Sequence, residues 1–332
     1  MTKRIPTIIL FAIIAIAFVS CAQEKDESDN SIQQRILDAY VAVNYPQGLQ
    51  STASGIKIIN FEQGKGVKLE NYNAALINYT SKDLAGNVSS TTYKNVAQQI
   101  GSFAKTTHYG PSFFTIGYGS TIVGLEELLL TMNKGAKIEA IIPPWLSIYA
   151  YSAGGTQQST SNIIYSISLE DVISDIVKYE VDSVSAYANR VYPGLDSLSK
   201  GFYFKKFFNS SADTVAWGDA VNVRYVGKLL DGFVFDTNIA DTAKKYGIYN
   251  SSNTYQALSV TFKKDLDEMK GGDGSSSLIL GFCKALQKMK YEDTAISFFT
   301  SSYGYSASGK DKSIGPYSPI QFYLYIEPKA TE

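Results

Sequence analysis

Few residues in this chain could do covalent or metal chemistry. One histidine, His108, stands alone among 332 residues, which excludes a catalytic zinc site built from two or three imidazoles. A Ser-His-Asp triad would have to use it, and no G-x-S-x-G elbow accompanies it. It lies in a polar loop with no partner recognisable from the sequence. Two cysteines, Cys21 and Cys283, do not make a disulfide framework. Cys283 reads as a small buried hydrophobe. The run from Gly304 to Lys310 has the glycine and lysine spacing of a phosphate-binding loop. Asp311 stands where a hydroxyl must hold magnesium, however, and residues 312–316 give no clean helix start. Asp267 and Glu268 lie in an acidic, glycine-containing stretch without the alternating ligand spacing of a calcium loop. No metal and no cofactor are implied.

The elements that would position any site begin outside the cytoplasm. Lys3 and Arg4, an apolar run from Ile8 to Val19, then Ser20 and Cys21 read as a secretory leader. The run is too short before its cysteine for a spanning helix. Phe18-Val19-Ser20-Cys21 resembles the lipobox of bacterial lipoproteins, a resemblance that implies acylation of Cys21 and a lipid anchor in the cell envelope, expected at the outer membrane. Residues 22–30 are polar and acidic, the composition of a solvated tether. Removing Lys3 and Arg4 with the leader takes the formal charge from −1 to −3, so no electrostatic footprint for nucleic acid is present. With 45% hydrophobic and 18% charged residues, the remainder is globular.

Beyond Ser31, a helix cap by its type and place, Ile32, Ile36, Tyr40 and Val43 recur at helical spacing up to Pro46. A second helix is expected over residues 170–189, and it too runs into a Tyr-Pro pair, Tyr192-Pro193 against Tyr45-Pro46. That match belongs to an internal repeat. Gly55, Tyr79, Leu84 and Gly86 correspond to Gly201, Tyr225, Leu230 and Gly232 at a constant offset of 146. Ile122, Gly124 and Met132 correspond to Ile279, Gly281 and Met289 at 157. The second copy therefore carries eleven more residues, expected within 241–277. Copies of this length are domains rather than solenoid units. Alternation at residues 75–79, 221–225 and 320–326 predicts strands, and residues 122–132 and 279–289 predict short helices. Each copy is thus mostly strands with one short helix, an α+β domain with an antiparallel sheet. The 24 tyrosines fit half-buried strand faces.

In the second copy, Tyr225-Val226-Gly227, Leu230-Asp231-Gly232 and Phe235-Asp236-Thr237 resemble the tyrosine-glycine strand, the Leu-x-Asp-Gly-type turn and the Phe-Asp pair of FKBP-type peptidyl-prolyl isomerases. Ile279-Leu280-Gly281-Phe282 is similar to the family's helix start, Tyr303-Gly304-Tyr305 to its tyrosine loop, and Ile314-Gly315-Pro316 to the approach to its closing strand. In the first copy, Phe114-Thr115-Ile116-Gly117 and Ile122-Val123-Gly124-Leu125 are similar to the family's middle section, and Ile142-Pro143-Pro144-Trp145 to its approach to the tyrosine loop. The resemblance spans most of residues 51–328, in the same order twice.

The resemblance implies two tandem FKBP-like domains, each a curved antiparallel sheet wrapped around a short helix and preceded by a helix. The expected divisions are a leader (1–21), a tether and helix (22–50), a degenerate domain (51–169), a linker helix (170–194) and a better preserved domain (195–332). It places Tyr225, Phe235, Ile279, Phe282, Tyr305 and Phe322 around an apolar pocket. Asp236 would be the polar group at its rim, and Tyr305 the hydroxyl donor toward a substrate carbonyl. Phe282 replaces the family's usual tryptophan at the pocket floor. The first pocket would be formed by Tyr79, Ile122, Leu125, Tyr165 and either Ile148 or Tyr151, with Ser89-Ser90 in the Phe-Asp place. The activity implied is prolyl isomerisation of unfolded or extended polypeptides outside the cytoplasm, mainly by the second domain. The alternative is a non-catalytic peptide-binding or chaperone lipoprotein.

Overall fold

The computed structural model describes residues 28–149, 158–208, 213–272, 274 and 276–329. Cys21, the leader, most of the tether and Tyr151 lie outside the described residues. Helix α1 (Asp29–Asn44) opens one turn earlier than Ser31 suggests, because Ser28 is the cap and its side chain accepts from the Ser31 N–H. It closes before Pro46, as a residue preceding proline requires.

Seven strands form the first sheet: β1 (Gln50–Ser51), β2 (Lys57–Glu62), β3 (Ala74–Asp83), β4 (Val88–Thr91), β5 (Ser112–Thr115), β6 (Lys137–Ile142) and β7 (Ile163–Ile173). Helices α2 (Lys94–Gln99) and α3 (Val123–Leu129) lie in the connections on either side of β5. The order is β1-β2-β6-β7-β3-β4, with β5 on the same edge of β3 as β4, along Ala74–Ile77, and every pairing antiparallel. The helix expected from residue 170 starts later. Asp171, Val172 and Ile173 extend β7 by pairing with Leu76, Ala75 and Ala74, and α4 (Ile176–Val191) begins where Asp175 caps the Lys178 N–H.

The second sheet repeats the plan with β8 (Phe202–Phe208), β9 (Ala220–Leu229), β10 (Val234–Thr237), β11 (Leu258–Thr261), β12 (Lys270–Gly271), β13 (Ser276–Ser277), β14 (Thr294–Phe299) and β15 (Ile320–Ile326). Helix α5 (Ala240–Tyr246) follows β10, and α6 (Leu280–Leu286) precedes β14. The central order β8-β14-β15-β9 matches β2-β6-β7-β3. Ala74 pairs with Thr115, and Ala220 pairs with Thr261, both residues shifted by 146. The eleven extra residues therefore fall between Thr261 and Ile279. They build a single turn, Leu266–Glu268, and the β12–β13 hairpin that prolongs the sheet beyond β11.

Strand alternation gives each sheet two apolar faces. On the inner face of the first, Leu125, Leu128 and Leu129 of α3 pack against Ile77, Ala140 and Ile167. On its outer face, Leu37 of α1 meets Ile141 and Ile164. In the second, Phe282, Cys283 and Leu286 of α6 meet Ala295, Phe299, Phe322 and Leu324. Outside, Val184, Tyr187 and Ala188 of α4 cover Tyr203, Ile296 and Phe298. The chain is thus α+β, with two antiparallel sheets each held between a long outer and a short inner helix. Helix α4 is part of the second core rather than a free connector.

The two halves touch through the segment around His108. Its Nε2 lies 2.7 Å from Asp231 Oδ2, its N–H donates to the Lys312 carbonyl at 2.9 Å, and Phe113 stands edge-on to Tyr317 at 5.8 Å. The partner that the sequence did not reveal is therefore a carboxylate of the second domain.

Candidate active site

Five of the expected second-domain residues are joined by ring contacts or a hydrogen bond. Phe322, at the middle of β15 and almost fully buried, is the hub. Phe282 stands edge-on to it at 5.2 Å, Phe235 edge-on at 5.7 Å, and Tyr225 at 6.1 Å. Tyr225 is also edge-on to Phe282 at 5.7 Å. Such perpendicular pairs place the positive edge of one ring on the negative face of another. The Tyr225 hydroxyl donates to Asp236 Oδ2 at 3.2 Å. Burial, reinforced by the Asp236 charge, pushes the Tyr225 phenol well above its ordinary range, so it holds its proton and remains a donor. Ile279 and Tyr305 are half-buried against the same core. Ile279 is the extended residue immediately before α6, and Tyr305 lies in the loop after β14. Burial raises the Tyr305 phenol as well. Lys310, whose Nζ lies 5.6 Å over the ring, opposes that shift, while Asp236 adds to it.

Local structure explains the placement. β10 pairs with β9 across a bulge between Val234 and Asp236, the irregularity that re-aims a side chain. The Thr237 hydroxyl then donates to the Tyr225 carbonyl at 2.7 Å, and Asn238 Oδ1 accepts from the Tyr225 N–H at 2.9 Å. Side chains thus replace the ladder where β10 leaves the sheet. Gly227 is a shape residue that the sequence reading did not single out for the site. A Cβ there would lie 2.6 Å from the Phe235 ring and 2.9 Å from Phe322. The Phe235 ring can approach β9 this closely only because position 227 has no side chain. Its one sequence signal is the glycine two positions after Tyr225, and the sheet sets it directly opposite Asp236 and Phe322.

The first domain assembles a different set. Tyr79 packs edge-on to Phe114 at 5.9 Å and lies 6.3 Å from Tyr165. Its hydroxyl meets Ser90 Oγ at 3.2 Å. Ser81 Oγ meets Ser89 Oγ at 3.0 Å, so a hydroxyl pair occupies the positions of Gly227 and Phe235. Ile122 and Leu125 are buried beneath. Two residues are open for the loop position. Ile148, at the constant offset from Tyr305, offers its carbonyl to the Val123 N–H at 2.8 Å, and Tyr151 is outside the described residues. The neighbouring ring is Tyr149, which packs into the same core. Burial, with Tyr79 and Tyr149 adding to it, pushes the Tyr165 phenol up to about 12. Tyr79, Ser89 and Ser90 line a cleft of about 540 Å³ whose far wall is Asp311, Lys312 and Pro316 of the second domain.

The other chemical candidates are absorbed by structure. Among the described residues no group of three or more His, Cys, Asp or Glu side chains is placed to hold a metal. Cys283 is fully buried, and burial pushes its thiol up to about 11, which keeps it protonated. After Lys310 the chain turns into a bridge with Ile314 instead of a helix. Among the described residues no helix is long and apolar enough to cross a membrane.

A family of sequences described as FKBP-type peptidyl-prolyl cis-trans isomerase matches residues 81–170 and 212–326. No curated protein matches. Among solved structures, the three FKBP domains of wheat FKBP73 are 17% identical, covering 83% of this chain and 94% of that one, with a TM-score of 0.29. A peptidyl-prolyl cis-trans isomerase from Pseudomonas syringae is 22% identical, covering 47% and 96%, with a TM-score of 0.32. FkpA from Escherichia coli is 19% identical, covering 52% and 85%, also at 0.32.

Proposed function

The chain belongs to the FKBP-type peptidyl-prolyl cis-trans isomerase family, and we propose that its second domain carries the activity, on polypeptides outside the cytoplasm. The observation that supports this reading is the aromatic well around Phe322 with the Tyr225–Asp236 hydrogen bond at its rim.

Rotation about an X-Pro amide makes and breaks no covalent bond. Its barrier of about 18–20 kcal/mol is the resonance lost when the amide leaves planarity. The twisted amide is less charge-separated than the planar one, so an apolar well of Tyr225, Phe235, Ile279, Phe282 and Phe322 favours it over the ground state. Every ~1.4 kcal/mol of such preference gives about tenfold in rate. The proline ring fills the well, the Tyr305 hydroxyl donates to the substrate carbonyl, and Asp236 orients Tyr225 and gives the rim its charge.

The first domain, with Ser89-Ser90 and Leu125 in place of Phe235-Asp236 and Phe282, serves as a binding or structural module. A second reading, in which neither domain catalyses and both bind client peptides, is favoured by Phe282 standing at the tryptophan position. Acylation of Cys21 ties the molecule to the envelope membrane, tested by mass spectrometry of the purified amino-terminal peptide. Isomerisation of Leu-Pro and Phe-Pro peptides by the full chain, followed by NMR exchange, separates the two readings. Enhancement that Asp236→Val or Tyr305→Phe lowers about tenfold or more supports catalysis. No enhancement from the folded chain leaves the binding module.

A further inference from the structure

The loop after β14, which carries Tyr305, is held by the outer helix α4 and by the residue before β8. Thr300, its first residue, donates its N–H to the Gly201 carbonyl at 2.9 Å. A Cβ at Gly201 would lie 2.6 Å from Thr300 Cγ2, so the approach is close. Next comes Ser301, 2% exposed. Both of its donors go to one carboxylate. Its N–H reaches Glu180 Oε1 at 2.6 Å, and its hydroxyl reaches Glu180 Oε2 at 2.9 Å. Glu180 lies on α4 and is itself only 4% exposed. A buried carboxylate is costly unless its oxygens are fully hydrogen-bonded, and here both oxygens are used on a single residue.

Ser301 passes that restraint on. Its carbonyl accepts from the Gly304 N–H at 2.7 Å and from the Ser306 N–H at 2.9 Å, the two residues that bracket Tyr305. We infer that Glu180 is a positioning residue for the isomerase site, fixing the turn that presents the Tyr305 hydroxyl. The inference rests on the isomerase reading of the second domain. The first domain lacks the device. Pro144 stands at the offset position of Ser301 and has no N–H to give. Gln33, on the helix corresponding to α4, is bonded instead by Asn162.

The test uses the full chain in detergent and three variants. Glu180→Ala removes both acceptors, Glu180→Gln keeps an acceptor for the Ser301 N–H, and Val184→Ala weakens the same helix on its Ile296–Phe298 face without touching Ser301. The expected result is a roughly tenfold fall in kcat/KM for Glu180→Ala, one hydrogen-bonded contact's worth. Gln restores activity to within about threefold, and Val184→Ala stays near wild type while folded. Amide exchange at Gly304 and Ser306 accelerates in Glu180→Ala alone. Parallel loss in Glu180→Ala and Val184→Ala, or unchanged exchange at Gly304 and Ser306, overturns the inference. Should Glu180→Ala fail to fold, Glu180→Asp, a methylene shorter, carries the same comparison. A wild-type chain without isomerase activity refutes the isomerase reading, and the exchange rates then decide the role of Glu180 in the loop by themselves.

Discussion

The two halves of this molecule differ less in fold than in what fills one corner of it. In the second, Gly227 leaves room for Phe235, and Asp236 accepts from Tyr225 at 3.2 Å. In the first, Ser81 and Ser89 fill the same space with a hydroxyl pair, and Ser90 meets Tyr79 at the same 3.2 Å. The tyrosine keeps its partner in both, but the first domain has lost the aromatic wall and the carboxylate together. These changes are mutually consistent. Once position 81 carries a side chain, a phenylalanine at 89 has no room, and a small polar pair satisfies itself. The comparison teaches that sheet and inner helix tolerate either filling, so the fold does not depend on which set occupies this corner.

The largest effect is expected at the hub. Phe322→Ala removes the ring that Tyr225, Phe235 and Phe282 all contact, and a buried phenylalanine truncated to alanine costs about 3–5 kcal/mol. Its counterpart Tyr165→Ala should lower thermal stability while leaving isomerisation intact. A matching loss of activity from Tyr165→Ala breaks the division of labour. Gly227→Ala comes next. Overpacking typically costs about 1–3 kcal/mol, and displacing Phe235 should lower kcat/KM at least tenfold, whereas Ser81→Gly should be silent in peptide assays. Equal kcat/KM in Gly227→Ala and wild type would show that Phe235 is not part of the well.

Smallest is the contact between the halves. The His108 hydrogen bond holds the Asp231 carboxyl below the ordinary aspartate range. A depressed carboxylate contributes stability above its unfolded pKa and loses it as pH falls through the folded value. Acid below about pH 4 should therefore loosen this contact. The pair is partly exposed, so the effect is within about 1 kcal/mol. Small-angle scattering between pH 7 and pH 3, against His108→Ala, measures it. A variant with the same pH response as wild type refutes the role of the pair.

Much of this was legible in the chain itself. The 146 and 157 offsets place equivalent strands and helices in both halves, because buried faces impose periodicities that survive divergence. Tyr225, Phe235, Asp236, Phe282 and Phe322 carried readable motifs. Contacts that depend on docking were not legible. Glu180 reaches Ser301 across 121 positions, and His108 reaches Asp231 across 123. Periodicity says which face of α4 is buried, not that one buried position is an acid. The packing of Tyr149 into the first core was not legible either, because a loop's path, unlike a strand's, is not set by alternation. At the end of β7, Ile173, Ile176 and Val177 also fit helical spacing, and only pairing with β3 decides for a strand.

The most direct test sets Asp236→Val beside Ser90→Val, the same position in the two halves, in one NMR exchange assay on the full chain with a Phe-Pro peptide. The account predicts that Asp236→Val loses most of the rate enhancement and Ser90→Val keeps it. Equal losses, or a loss confined to Ser90→Val, would contradict it.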